Sequence, residues 1–350
     1  MTQRLAINGF GRIGRTAFRV WAQRPDALAA LDLVAVNERA DRDTAIHLAR
    51  FDSTHGRFAG SIEPTPDGMC VDTTALRNKN IAILNHETIN TLPWHDLAVD
   101  IVLECTGAFS DRATAELHVE AGANHVLFSQ PAEPDVDLTV VWGVNDDQLT
   151  AEHQIVSAGS CTTNALIPAL KVLDDSFGID AGTVTTIHSA MNDQPVLDAY
   201  HNTDLRKTRA AFQSIIPVDT GLAIGVPRIL PQLEGKLTAH ALRVPTLNVS
   251  AMDVTVYTQR DCTAKDVNDA LASAASRGLN GVLGFTTAPL ASCDFNGEIC
   301  SSVVDASQTQ VSANRLVKVL IWFDNEWAYA NRLIDIALRI GVLRNITSHQ

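Results

Sequence analysis

The chain has 350 residues, 46% of them hydrophobic, which is enough for a sizeable core and for two domains. Its formal net charge of −13 argues against nucleic acid as a partner, and no apolar run reaches the roughly eighteen residues that a membrane span requires. The six cysteines lack disulfide-framework or metal-site spacing, so they read as reduced thiols of a cytoplasmic protein without a metal centre.

Leu5-Ala6-Ile7 reads as a buried strand, entered too early to leave room for a signal segment. Gly9-Phe10-Gly11-Arg12-Ile13-Gly14 follows, and Ile13, Ala17, Val20 and Trp21 then recur at helical spacing. A glycine triplet between strand and helix is the setting for a dinucleotide. Gly9 permits the turn, Gly11 lets a pyrophosphate approach the backbone, and Gly14 lets helix and strand pack. Arg12 and Ile13 lie in the same turn and are assigned to the cofactor with it. The next strand, Leu33 to Val36, ends at Asn37-Glu38. An acid there accepts from ribose hydroxyls and repels a 2′-phosphate, which favours NAD, although Arg39 and Arg42 keep NADP open.

Arg57 to Asp72 predicts short antiparallel strands, and Ile81 to Leu84 another strand. Asp100 to Gly107 reads as a buried strand ending in small residues. Thr106, Gly107 and Phe109 then fall where cofactors bind a parallel sheet, and Ser129 ends the following strand, His125 to Ser129. Ala113 to Ala121 predicts a helix and Thr139 to Trp142 a further strand. The alternation implies an α/β, Rossmann-type doubly wound parallel sheet over residues 1–157. A final helix, about 325–350, is expected to return to it.

Val156-Ser157-Ala158-Gly159-Ser160-Cys161-Thr162-Thr163-Asn164 places one cysteine at a strand-to-helix turn. A helix N-terminus lowers a thiol pKa, so Cys161 is a candidate nucleophile, with Pro168 a candidate kink or later start of that helix. Gly182 to His188 is a β-branched strand, and His188 is the natural base for Cys161. Met191 to Pro217 reads as a long loop carrying Arg206, Lys207 and Arg209. A helical run through Leu230 follows Thr220-Gly221, and Arg243 sits in an extended stretch from Ala241 to Val249. Basic and hydroxyl groups from separate segments are what an anion site in an acidic protein requires. Thr263 is the expected cap of a helix from Ala264, with Asp266 completing it. Residues 158–324 thus read as a strand-rich α+β domain.

Taken together, Asn8-Gly9-Phe10-Gly11-Arg12-Ile13-Gly14, Ser160-Cys161-Thr162-Thr163-Asn164, Arg243-Val244-Pro245-Thr246 and Asp324-Asn325-Glu326-Trp327 closely resemble the glyceraldehyde-3-phosphate dehydrogenase superfamily. The resemblance covers nearly the whole chain. It implies a catalytic domain on a mostly antiparallel sheet and a homotetramer. It also implies Cys161 as nucleophile, His188 as its activator, and Asn325 as the residue that positions the nicotinamide. Ser160, Thr162, Thr220, Gly221, Lys207, Arg209 and Arg243 would contact a phosphorylated aldose or an acceptor phosphate. Ala165 stands where the family has a second cysteine, Met191 where a threonine helps hold phosphate, and Lys207 where an arginine would form a planar fork.

These departures look like the erythrose-4-phosphate dehydrogenase branch, except for Thr88, where that branch has an arginine near the adenine. That resemblance implies NAD-dependent oxidation of D-erythrose 4-phosphate to 4-phospho-D-erythronate, through a thiohemiacetal and a thioester, in pyridoxal 5′-phosphate biosynthesis. The alternative is a phosphorylating glyceraldehyde-3-phosphate dehydrogenase. A dinucleotide-binding regulatory protein is the rival from another class, and an intact Cys161 and His188 speak against it.

Overall fold

The apolar strand Gln3–Asn8 lies at the centre of a nine-stranded sheet. The computed structural model describes residues 2–202 and 204–347. On one side of the central strand lie Leu31–Asn37 and Lys79–Leu84, and on the other Ile101–Glu104, His125–Phe128, Ile155–Ser157 and Leu138–Thr139, all parallel. Gly68–Asp72 and Ser61–Thr65 extend the sheet antiparallel. The six inner parallel strands follow the doubly wound order. The chain reverses direction across the sheet between Gln3–Asn8 and Ile101–Glu104, which is where such sheets bind ligands.

Helix Arg12–Gln23 buries Ala17, Val20 and Trp21 of the predicted face, and Phe18 and Arg19 besides, while Ile13 is half-buried. The helix predicted over Ala113 to Ala121 forms as Arg112–Glu120, capped by Asp111. The strand expected through Trp142 stops at Thr139. There the Asn145 side chain takes the Val141 N–H at 2.7 Å and donates to the Thr139 carbonyl, so the backbone is drawn into a turn.

The chain divides into two compact units. One runs from the N-terminus to Ser160 and resumes at Ala330; the other is Cys161–Tyr329. Helix Trp327–Thr347 supplies the late part of the first unit. Within that unit Arg24 pairs with Asp335 at 2.7 Å and Arg344 with Asp100 at 2.5 Å, and Gln3 donates to Asn345. Positions 348–350 of the predicted final helix lie outside the described residues.

The second unit is built on a seven-stranded sheet in the order Ile216–Val218, Leu237–Arg243, Ile179–His188, Ser250–Thr258, Leu316–Phe323, Ser302–Ser312, Leu283–Thr286. Four of its six pairings are antiparallel. Helix Cys161–Phe177 starts at the cysteine and continues through Pro168, so the later start does not occur. The loop predicted from Met191 to Pro217 contains two short 3-10 turns, Leu205–Thr208 and Ala211–Gln213, and ends in the strand Ile216–Val218. The helical run expected through Leu230 is broken into Leu222–Gly225, Val226–Arg228 and Pro231–Leu233. Pro227 and Pro231 interrupt it because proline cannot donate to the helix ladder. The extended stretch at Arg243 ends there, and Val249, at φ 63°, turns the chain into Ser250–Thr258. The capping box of Thr263 and Asp266 forms as predicted.

Candidate active site

The glycine turn opens the first unit's cleft. Gly9 has φ 91°, and a Cβ there would lie 2.6 Å from the Thr106 backbone nitrogen; one on Gly14 would lie 2.1 Å from the Gly9 carbonyl. A Cβ on Gly11 meets nothing within 4 Å, and no side chain caps helix Arg12–Gln23. The turn is therefore closed against side chains at Gly9 and Gly14 and open at Gly11, with a helix N-terminus behind it, as a pyrophosphate needs. Gly9→Ala is expected to cost about 1–3 kcal/mol or more, from the left-handed backbone and the overlap with Thr106, read as a lowered urea midpoint.

A cleft of about 260 Å³ lies beside this turn, lined by Gly9, Gly11, Glu38, Thr88, Thr106 and Phe109 among others. The Glu38 carboxylate accepts from the backbone N–H groups of Phe10, Arg39 and Ala40, which fixes it at the cleft wall. Thr88 lies in the same wall, and its hydroxyl is 3.3 Å from that of Thr91. The structure does not bring every predicted cofactor residue to this lining. Arg12 is paired with Asp52 at 2.5 Å, and Ile13, Gly14, Gly107 and Ser129 are not among the lining residues. Asn8 and Asn37, which stand beside the predicted cofactor residues Gly9 and Glu38, line it as well, and so does His86, which no sequence signal marks.

In the second unit Cys161 is the first residue of its helix and His188 the last of its strand. The Cys161 Sγ and His188 Nε2 are 3.7 Å apart. The His188 Nδ1 lies 2.8 Å from the Ser189 carbonyl, which can only accept. Nδ1 therefore carries the proton, and the Nε2 lone pair is left to face the thiol. Phe323 packs edge-on against the imidazole.

The lowered thiol pKa expected from the helix start is not found. Burial pushes the Cys161 thiol up to about 12; the N–H groups of Thr162 and Cys161 oppose this, and Glu326 and Asp324 add to it. Desolvation outweighs the helix terminus. Burial also lowers the His188 pKa, with Arg243 acting in the same direction and the Ser189 carbonyl against it. A lone thiolate is therefore disfavoured. The charged state open to this dyad is the paired one, in which the proton moves from Sγ to Nε2 and net charge is unchanged.

Asn325 sits in the turn between Leu316–Phe323 and the last helix. Its Oδ1 accepts from the hydroxyls of Ser189 at 3.0 Å and Ser250 at 2.8 Å. Ser250 also accepts from the Ser189 N–H, so the residue that orients the base also holds Asn325. Asp324 accepts from the N–H groups of Gly297, Glu326 and Trp327 and fixes the turn.

Arg243 is buried and faces His188 in register across paired strands. Arg243 and Lys207 both bind Asp193, Lys207 at 3.1 Å. Burial opposes ionisation of Asp193, yet the bonds from Arg243 and Lys207 hold its pKa below the usual value. Arg209 does not join them; it pairs with Asp198 on the exposed loop. Thr220 and Gly221 form the turn into Leu222–Gly225, and a side chain at Gly225 would come 3.9 Å from Thr163 Oγ1, beside the helix that begins at Cys161. Ser160 and Thr162 flank the cysteine and are half-buried. The sequence gives no sign that Asp193 occupies the basic pair.

A dinucleotide cleft and a thiol–imidazole pair on this fold define an NAD-dependent oxidoreductase. Residues 3–112 match the family described as glyceraldehyde 3-phosphate dehydrogenase, NAD binding domain, and residues 160–325 match glyceraldehyde 3-phosphate dehydrogenase, C-terminal domain. The chain belongs to the glyceraldehyde-3-phosphate dehydrogenase superfamily. Among the described residues, no helix is long and apolar enough to cross a membrane.

Proposed function

We propose that the chain oxidises D-erythrose 4-phosphate to 4-phospho-D-erythronate. Cys161 adds to the aldehyde carbon as His188 Nε2 takes the thiol proton. The resulting thiohemiacetal alkoxide is held by backbone N–H groups at the start of the Cys161 helix and by the imidazolium. NAD, when bound, supplies the hydride acceptor. The oxidised carbon is then a thioester on Cys161; the imidazolium gives its proton to solvent, and neutral His188 serves as base for the water that releases the thioester, then returns that proton to the departing Cys161 sulfur. Arg243 and Lys207 hold the substrate phosphate, with Ser160, Thr162, Thr220 and Gly221 around it. Asn325 orients the nicotinamide.

The observation that carries the choice of acceptor is Asp193. One carboxylate engages both cations of the anion cluster, and Met191 supplies no hydroxyl. With these two cations shared between Asp193 and the substrate phosphate, none is left for a second, inorganic phosphate dianion, and water is the better acceptor. The chemistry fits a cytoplasmic role in making pyridoxal 5′-phosphate. Val196, Leu197, Tyr200, Leu205 and Ile215 are exposed along one loop, which supports a homotetramer that covers them. The two compact units serve as the dinucleotide domain, which the final helix completes, and the catalytic domain.

NADH formation from each aldehyde, with and without inorganic phosphate, tests this reading. The erythrose phosphate should be preferred by at least about tenfold in kcat/KM, without any need for phosphate. Strict phosphate dependence with glyceraldehyde 3-phosphate preferred would establish the phosphorylating activity instead.

A further inference from the structure

Asn8 and Glu104 face each other in register at the point where the parallel sheet reverses order. Glu104 is wholly buried, and its carboxylate is surrounded by donors. Oε1 accepts from the Thr106 N–H at 2.9 Å and from the Thr106 hydroxyl. Oε2 accepts from Asn8 Nδ2 at 2.6 Å and lies 3.1 Å from His118 Nε2. The His118 tautomer follows from its other nitrogen. Trp94 Nε1, 3.0 Å from His118 Nδ1, can only donate, so Nδ1 accepts and Nε2 carries the proton given to Glu104. On the far side, Asn8 Oδ1 accepts from Asn37 Nδ2 at 2.8 Å, and Asn37 Oδ1 accepts from the His86 N–H at 2.9 Å. The donors of Trp94, His118, Asn8 and Thr106 thus run toward one carboxylate, and Asn37 Nδ2 continues the run through Asn8 while also donating to the His86 carbonyl at 3.1 Å.

This direction fixes three groups of the cleft. Asn8, Asn37 and Thr106 line it, and neither amide can flip without setting donor against donor. Glu104, His118 and Trp94 do not line it. We infer that Glu104, with His118 and Trp94 behind it, is a positioning residue of the dinucleotide site, setting the hydrogen-bonding sense of Asn8, Asn37 and Thr106. The inference does not depend on which aldehyde is oxidised.

Glu104→Gln tests it with almost no change in shape. An amide NH₂ at the Oε2 position meets the donors of Asn8 and His118; turned the other way, it meets the Thr106 N–H. One of the cleft groups must rotate. NAD affinity is read by quenching of intrinsic fluorescence, well below the melting temperature of each variant. The expected result is a Kd raised at least tenfold for Glu104→Gln, with partial recovery in the double variant Asn8→Asp/Glu104→Gln, where the new acid accepts from both the introduced amide and Asn37. Val126→Ala, a core change on the neighbouring strand, controls for stability alone. It should lower the melting temperature and leave Kd within twofold. A Glu104→Gln protein that is folded and binds NAD within twofold of the parent would overturn the inference. So would a Val126→Ala protein whose Kd rises as much as that of Glu104→Gln.

Discussion

Cys161→Ser is expected to lower kcat/KM for aldehyde oxidation by at least about 10³-fold, while NAD binding persists. The reason lies in what the imidazole is asked to accept. His188 Nε2 stands 3.7 Å from Sγ, and burial has already lowered its affinity for a proton. A thiol can still deliver one, because sulfur carries negative charge over a large, polarisable atom. A serine hydroxyl in the same desolvated place is a far weaker acid, so the weakened base cannot ionise it. The cleft that takes the dinucleotide is lined by residues of the other compact unit, so its affinity should stay within about twofold of the parent. Steady-state rates and a fluorescence titration on the same preparation check both halves. Retained turnover would remove Cys161 from the chemistry.

The second large effect is that of His188→Asn, expected at about 10²- to 10⁴-fold in kcat/KM, with a changed pH profile. In the parent, the base must be unprotonated. Its pKa is lowered from 6.5, so it is ready at neutral pH, and activity should fall only as pH drops through a value below 6.5. The asparagine variant has no such limb. Its thiol must ionise by itself, and burial holds the Cys161 pKa far above neutral, so little of it is ionised at pH 7. Its residual rate should therefore climb about tenfold per pH unit between pH 7 and 10, whereas the parent stays flat there. A variant whose profile matches the parent's would show that His188 is not the base.

The parts of the fold legible in the sequence are those set by local chemistry. Gly9 and Gly14 announce their turn because backbone geometry there excludes side chains, and the continuous apolar runs at Leu5, Leu33 and Ile101 mark strands buried on both faces. Thr263 and Asp266 announce a helix start for the same local reason. The helical pattern after Gly221 misleads because apolar spacing continues through Pro227 and Pro231, which break the ladder without altering the pattern. At the site, Cys161 and His188 are legible by residue type and element end. Their protonation is not, because desolvation is set by packing from segments distant in the chain. Asp193 is hidden for a similar reason: its partners Lys207 and Arg243 are 14 and 50 positions away. Arg209 looks equivalent to Lys207 in the sequence, but Asp198 on the same loop takes it.

The first unit is discontinuous in the chain, and this bears on the order in which the protein can be made. Arg24, Gln3 and Asp100 find partners on the last helix, at Asp335, Asn345 and Arg344. A ribosome that has released residues up to 160 has produced a parallel sheet with that flank still bare. The intervening 161–329 stretch is contiguous and holds its own seven-stranded sheet. Translation therefore delivers all of the second unit's residues before the last segment of the first, so the first unit's contacts to the final helix can form only after the rest of the chain has been made.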